Sequence, residues 1–163
     1  MTKFVNYETE YTTRNADWPI GISAGAVVYK KSSDTVKVLL LLRNKNTDNP
    51  SYNLPKGTLK VDETLENCAL REVREEAGVN IELNTYLGAS TNTYFYQDTE
   101  QIKTFHYFAA KYIDEAGDMD HEHEDKVWLD ISTSKIKCAE SEPEKNEAII
   151  IERLELFLKK YGG

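Results

Sequence analysis

The sequence predicts an α/β (α+β) domain with a central mixed β-sheet covered on both sides by helices. Three observations lead there. Aliphatic runs at 20–31 and 35–43 read as buried strands. An acid-rich stretch between Gly57 and Val79 has helical periodicity, and an amphipathic segment at 143–161 closes the chain after further strands. Strands, a helix, more strands and a terminal helix bury their apolar surfaces best as helices packed on a sheet. With 163 residues, a single domain over 1–163 is expected.

Residues 1–19 form an N-terminal arm without clear period, although Tyr7, Tyr11 and Trp18 argue against complete disorder. The run Gly21-Ile22-Ser23-Ala24-Gly25-Ala26-Val27-Val28-Tyr29 is small and branched, Ser32-Ser33-Asp34 is a turn, and Thr35–Arg43 pairs back as a hairpin. Asn44–Ser51, with Asn49-Pro50, is a loop. Pro55 confines Leu54 to an extended shape, and Gly57 allows a close approach of the backbone, for instance to a bound ion. Asn80–Leu87 returns to the sheet, followed by strands at Ala89–Tyr96 and Ile102–Tyr112 joined by a polar turn. On the second of these, Lys103, Phe105, Tyr107 and Ala109 share one side. Asp114–Asp125 is an acidic loop, Lys126–Ile131 a short strand with Trp128, and Ser132–Ala139 a short helix or turn. Ser141-Glu142-Pro143 signals the start of the C-terminal helix, whose apolar face is Ile150, Leu154, Phe157, Leu158 and Tyr161.

The helix after Gly57 carries the chemistry. Asp62 or Thr64 can cap its start and Gly78 can end it in a left-handed turn. Leu65, Ala69, Val73 and Ala77 make a buried stripe, whereas Glu72, Glu75 and Glu76 meet on a separate face at i, i+3 and i+4. Like charges so placed destabilise a helix by about 0.2–0.5 kcal/mol per pair. Arg71 and Arg74 offset part of that, so a salt-bridged exposed face is one reading. A site for hard divalent cations, which take oxygen ligands, is the other.

Charge and composition limit the partners. The net charge is −8 and the five arginines are scattered, which argues against long nucleic acid, since neutralising its backbone needs clustered cations. Metal ions can still bring a small anion to an acidic protein. Cys68 and Cys138 are too few for a disulfide framework and fit a reducing compartment. Met1–Thr13 lacks the apolar core of a secretory signal and the longest aliphatic run is Val38–Leu42, so a cytoplasmic monomer without membrane contact is expected.

The stretch 57–79 resembles the Nudix hydrolase signature at every fixed position: Gly57, Glu63, Arg71, Glu72, Val73, Glu75, Glu76, Gly78 and Val79. That resemblance implies an α/β/α sandwich and hydrolysis of a nucleoside diphosphate linked to another group. Within the family, three stretches are similar to the asymmetrical diadenosine tetraphosphate hydrolases. They are Leu54-Pro55-Lys56-Gly57, Lys103-Thr104-Phe105-His106-Tyr107-Phe108, and His121-Glu122-His123 followed by Trp128-Leu129. The resemblance implies that Glu72, Glu75, Glu76 and Glu122 hold Mg²⁺ or Mn²⁺, with the Gly57 carbonyl as a further ligand. Arg71 would orient the glutamates, Lys56 and Lys103 would touch phosphates, and Tyr107 would stack on an adenine. A helix glutamate or Glu122 would be the general base.

The chain departs from those relatives in having no aromatic residue at 137–146 to sandwich a base, for which Tyr94, Tyr96, Tyr7 or Trp18 could substitute. Plainer readings stand beside these roles: Glu122 as a solvated loop acid, Tyr107 as core, Lys103 as an exposed strand charge, His106 as a sheet residue. His121 and His123 could bind zinc, but no cysteine or further histidine nearby completes four such ligands. A small-molecule nucleoside polyphosphate is the expected partner; another Nudix pyrophosphohydrolase activity is the alternative: nucleoside triphosphate house-cleaning, RNA 5′ pyrophosphate removal or diphosphoinositol phosphate hydrolysis. A non-catalytic nucleotide sensor would be marked by a missing signature glutamate, and none is missing.

Overall fold

The computed structural model describes residues 20–96 and 98–162. The N-terminal arm, with Tyr7, Tyr11 and Trp18, lies outside them, as does the side chain of Tyr96. Strands β1 (Ile20–Ser32), β2 (Thr35–Arg43), β3 (Ser51–Asn53), β4 (Lys56–Thr58), β5 (Val79–Tyr96), β6 (Thr99–Glu115) and β7 (Asp125–Asp130) build one mixed sheet. Helices α1 (Leu65–Ala77), α2 (Ile131–Ser141) and α3 (Glu147–Tyr161) cover it. The sheet order is β3-β2-β1-β6-β5, with β4 on β1 and β7 on β2. Only the β1–β6 pairing among these is parallel. No helix of the described residues is long and apolar enough to cross a membrane.

The central strands are buried on both faces, and their alternation sorts side chains between two cores. On one side Val27, Tyr29, Val38 and Leu40 meet Cys138 of α2 and Ile150, Ile151 and Leu154 of α3. On the other, Ala26, Val28, Leu39 and Leu41 meet Val73 and Ala77 of α1, and Ala24 meets Cys68 and Ala69. The alanines of β1 let α1 approach closely. Thr64 caps α1 by accepting from the Asn67 N–H at 3.1 Å, and Gly78, at φ 66°, ends it.

Several boundaries differ from the sequence reading. The two strands expected at 80–87 and 89–96 are one, because β5 absorbs register shifts near Asn80, Leu83 and Tyr86 instead of stopping. The residues at 132–139 form a full helix, capped by the Asp130 carboxylate accepting from the Thr133 N–H at 2.8 Å. The C-terminal helix does not start at Pro143. Pro143–Lys145 make a single 3₁₀ turn, Asn146 adopts a left-handed φ of 55° that breaks the helical path, and α3 begins at Glu147. Tyr161 at its far end is exposed rather than part of the buried stripe.

One close approach positions the site. The strap Leu54-Pro55-Lys56 runs across Gly25, and the Ala26 N–H donates to the Pro55 carbonyl at 3.2 Å. A Cβ at Gly25 would lie 2.1 Å from the Pro55 oxygen. Gly25→Ala should therefore push the strap off β1 and cost about 1–3 kcal/mol, read as a lower urea midpoint. An unchanged midpoint would contradict this account of the strap.

Candidate active site

The described residues of β1, β4, α1, β5, β6 and the loop after β6 enclose a cavity of about 920 Å³. Glu72, Glu75, Glu76, Asp120 and Glu122 line it together with Arg43, Lys56, Lys103 and Lys145. The fold thus brings Lys56, Gly57, Arg71, Glu72, Glu75, Glu76, Tyr94, Lys103 and Glu122 to one place.

Arg71 organises the acids. Its Nε and Nη2 donate to the two oxygens of Glu63 at 2.7 and 2.8 Å. Its Nη1 reaches Glu72 Oε1 at 2.6 Å and Glu75 Oε2 at 3.2 Å, and Nη2 also donates to the Thr58 carbonyl. The bidentate bond from Arg71 holds the Glu63 carboxyl down at about 2. Glu63 was known only as a signature position; here it fixes the guanidinium on the side away from the cavity acids. Glu72 has its carboxyl raised, by burial first and then by the charges of Glu75 and Glu122, against the pull of Arg71. Its Cδ sits 2.0 Å from where a Cβ of Gly57 would be, so only glycine leaves room for it. The Gly57 carbonyl accepts a weak bond from the Cys68 thiol at 3.5 Å.

Glu76 is 6 % exposed, and burial pushes its carboxyl up to about 8. Its Oε2 accepts from the Lys56 N–H at 2.8 Å, which ties α1 to the strap. Glu75 is half exposed, and Glu122 more so, with Arg43 Nη2 3.7 Å from Glu122 Oε2. Lys103 is buried rather than an exposed strand charge, and its Nζ donates to Thr58 Oγ1 at 2.7 Å.

Tyr107 requires a correction. It is 0 % exposed, packed in the core on α3, and its hydroxyl donates to Glu147 Oε2 at 3.3 Å. Neither ring face is open to a base. Period two along β6 explains this: Lys103 and Phe105 project into the cavity, and two residues further on the same side runs under α3. Phe105 lines the cavity, with Lys56 Nζ 5.8 Å and Lys103 Nζ 5.7 Å from its ring centre.

Glu147 and Asp120 are participants that the sequence reading missed, and His123, read there only as a possible zinc ligand, joins them. Glu147, 2 % exposed, accepts from the Leu54 N–H with both oxygens at 3.1 and 3.2 Å and from Lys56 Nζ at 3.3 Å. No local pattern marks it, because its partners lie some ninety residues away. Asp120 and His123 come from the acidic loop, which is pinned at both ends. The Asp120 N–H donates to the Glu75 carbonyl at 2.8 Å, and the Glu124 carboxylate accepts from the Asn44 and Lys45 N–H groups at 3.2 and 2.9 Å. One ligand atom from each of Glu76, Asp120, Glu122 and His123 lies within 4.8 Å of the others. His121 is exposed.

A mixed sheet between helices, with a glycine-led loop and helix turning carboxylates into a cavity, defines a Nudix-type α/β/α sandwich. The family model described as NUDIX domain matches residues 19–149, and the chain belongs to that family. Its asymmetrical bis(5′-nucleosyl)-tetraphosphatase relative from Caenorhabditis elegans is 29 % identical over 120 residues, 72 % of this chain and 84 % of the relative. A MutT-like protein from Streptomyces ambofaciens is 42 % identical over 53 residues, 32 % of this chain; the chain spans only 34 % of that relative's length. Among solved structures, a binary complex of a C. elegans Ap4A hydrolase superposes with a TM-score of 0.63 at 21 % identity, covering 86 % of this chain and 98 % of that one. The MutT protein of Methanosarcina mazei superposes at 0.64 and 24 % identity, covering 86 % and 96 %. At these identities the superpositions bear on the fold alone.

Two outcomes follow. A folded-state carboxyl raised to about 8 stays protonated where the unfolded chain has already ionised, so the metal-free protein should lose stability as pH rises from about 4.5 to about 8. Glu76→Gln should remove that loss and be the more stable form at pH 8 by a few kcal/mol, but not at pH 5; urea unfolding at the two pH values checks it. Glu147→Ala leaves Lys56 and the Leu54 N–H without their buried acceptor and should cost about 3–5 kcal/mol. Glu147→Gln keeps an acceptor and should cost clearly less by the same measurement.

Proposed function

We propose that the chain hydrolyses a dinucleoside polyphosphate, cutting diadenosine tetraphosphate asymmetrically into ATP and AMP with the help of a divalent cation. The observation that carries this reading is a single cavity lined by Glu72, Glu75, Glu76, Asp120 and Glu122 together with Arg43, Lys56, Lys103 and Lys145. A bridge of four phosphates bears about four negative charges, and a protein of net charge −8 accepts it only where local cations outweigh the overall field. The 29 % identity to the C. elegans tetraphosphatase over 72 % of the chain supports the same substrate class.

The donors fit Mg²⁺ or Mn²⁺. Glu72, Glu75, Glu76 and Glu122 would hold the ion through hard oxygens, and a nearby dication would relieve the burial that raises Glu76. Such an ion supplies charge cancellation on the phosphates and a more acidic water. The chain's own groups do the rest. Arg71 keeps Glu72 and Glu75 in a fixed orientation. Lys56 and Lys103, which line the same cavity, would bind the phosphates, and Tyr94 and Phe105 would flank a base in place of Tyr107. Glu76 or Glu122 would take the proton of the attacking water. Positioning and charge stabilisation account for most of phosphoryl-transfer catalysis.

A second reading is a nucleoside triphosphate pyrophosphohydrolase, since the same cavity of carboxylates and lysines would also accept a shorter phosphate chain. Incubation of pure protein with Mg²⁺ and diadenosine tetraphosphate, beside the common nucleoside triphosphates, separates the two. The expected result is equimolar ATP and AMP, the highest kcat/KM for the tetraphosphate, and label from H₂¹⁸O in only one product. Glu76→Gln should lower kcat by more than about tenfold. Formation of ADP alone, or preference for a triphosphate, would reject the leading reading.

A further inference from the structure

We propose that His123 completes a mixed nitrogen–oxygen metal site with Glu76, Asp120 and Glu122, one that takes a first-row transition dication in preference to Mg²⁺. This rests on the reading of the cavity as a cation-assisted hydrolase site and extends it to a ligand set beyond the helix glutamates.

Geometry carries the argument. Atoms bound to one dication at about 2.0–2.2 Å stand about 3–4.4 Å apart, depending on the angle between the bonds. The four donors lie within 4.8 Å of one another, so small side-chain adjustments bring them into range. The His123 side chain is only 5 % exposed, and its buried Nδ1 has no hydrogen-bond partner among the described residues. A polar atom left in that state costs about 1–3 kcal/mol, and native folds keep few of them without a use. The Nδ1–Asp120 Oδ1 separation is 3.8 Å, too long for a hydrogen bond and suited to two ligands of one ion.

The frame is built before any ion arrives. The Glu122 N–H donates to Asp120 Oδ1 at 3.1 Å, and the backbone of Asp120 is tied to α1 through the Glu75 carbonyl. Glu76 is fixed from the other side by the Lys56 N–H. Only the Arg43–Glu122 contact, at 3.7 Å on a largely exposed carboxylate, has to loosen. Chemistry then selects the ion. Mg²⁺ favours an octahedron of oxygens and keeps its waters, whereas imidazole favours later dications such as Co²⁺ and Zn²⁺, in the order of increasing affinity from Mn²⁺ to Cu²⁺. A histidine pair that finds no nitrogen or sulfur partners along the chain thus finds three carboxylates through the fold, for one of its two rings.

The test uses the full chain and two probes. Pulsed EPR of the Mn²⁺-loaded protein should show ¹⁴N modulation from a bound imidazole, absent in His123→Asn. Calorimetry should give a Co²⁺ affinity at least about tenfold above that for Mg²⁺, with His123→Asn lowering Co²⁺ affinity by at least about tenfold and Mg²⁺ by less than about twofold. Bound Mn²⁺ without nitrogen coupling in the unaltered protein, or unchanged Co²⁺ affinity in the variant, overturns the proposal. If this happens while diadenosine tetraphosphate is still hydrolysed, the hydrolase reading survives alone. If no dication binds and no hydrolysis occurs, both fall. The spectrum of the unaltered protein decides the matter even if His123→Asn does not fold.

Discussion

The guanidinium of Arg71 is what allows one helix to carry three carboxylates toward a cavity. Left alone, Glu72, Glu75 and Glu76 repel one another, and two of them are partly or wholly withdrawn from water, where charge is dearer. Arg71 binds Glu72 and Glu75 directly. Arg71 is itself fixed by the two oxygens of Glu63, which stand outside the acidic wall. The pair Glu63–Arg71 acts as a rigid peg, and its planar fork gives direction as well as charge. A lysine could supply the charge but not four bonds in a fixed fan.

The second constraint is the strap. Leu54-Pro55-Lys56 is held by three unrelated parts of the chain: β1 through the Pro55 carbonyl, α1 through Glu76 and α3 through Glu147. The Lys56–Glu147 pair is buried, and buried pairs contribute little net stability once desolvation is counted. Its effect is geometric. It sets where the Lys56 ammonium stands relative to the cavity's carboxylates, and it ties the terminal helix to the site though α3 is not among the lining residues. Removing either partner strands the other in the core, so the arrangement is specified more strongly than it is stabilised.

What the linear chain disclosed follows the range of the forces. The hairpin of β1 and β2, the cap at Thr64, the left-handed end at Gly78 and the face holding Glu72, Glu75 and Glu76 all depend on residues within a few positions of each other, and all were legible. The break at Asn146 was not, because proline at 143 signals a helix start equally well for a 3₁₀ turn. Tyr107 was misplaced for a different reason. A strand fixes which side a residue faces, but not where along that side the cavity ends and the covering helix begins. Glu147 and Asp120 enter through contacts between distant segments, as do the carboxylate neighbours of His123, and composition carries no mark of such contacts.

These features together describe a site assembled against its own electrostatics. Burial raises Glu76 and Glu72, and the His123 Nδ1 in the same cavity has no hydrogen-bond partner among the described residues; each is a cost to the fold. In the proposed reading the same groups would serve as ligands at little further expense, since their burial is already in place. An exposed acidic face would carry no such cost and would give an arriving dication loose, hydrated and mobile donors. The two cores on either side of the sheet supply the stability that permits this, and the rigid peg at Arg71 and the three-point strap prevent the acids from relaxing outward. In a protein of net charge −8 the proposed polyphosphate would need no cationic surface, only local cations standing among the carboxylates of one cavity.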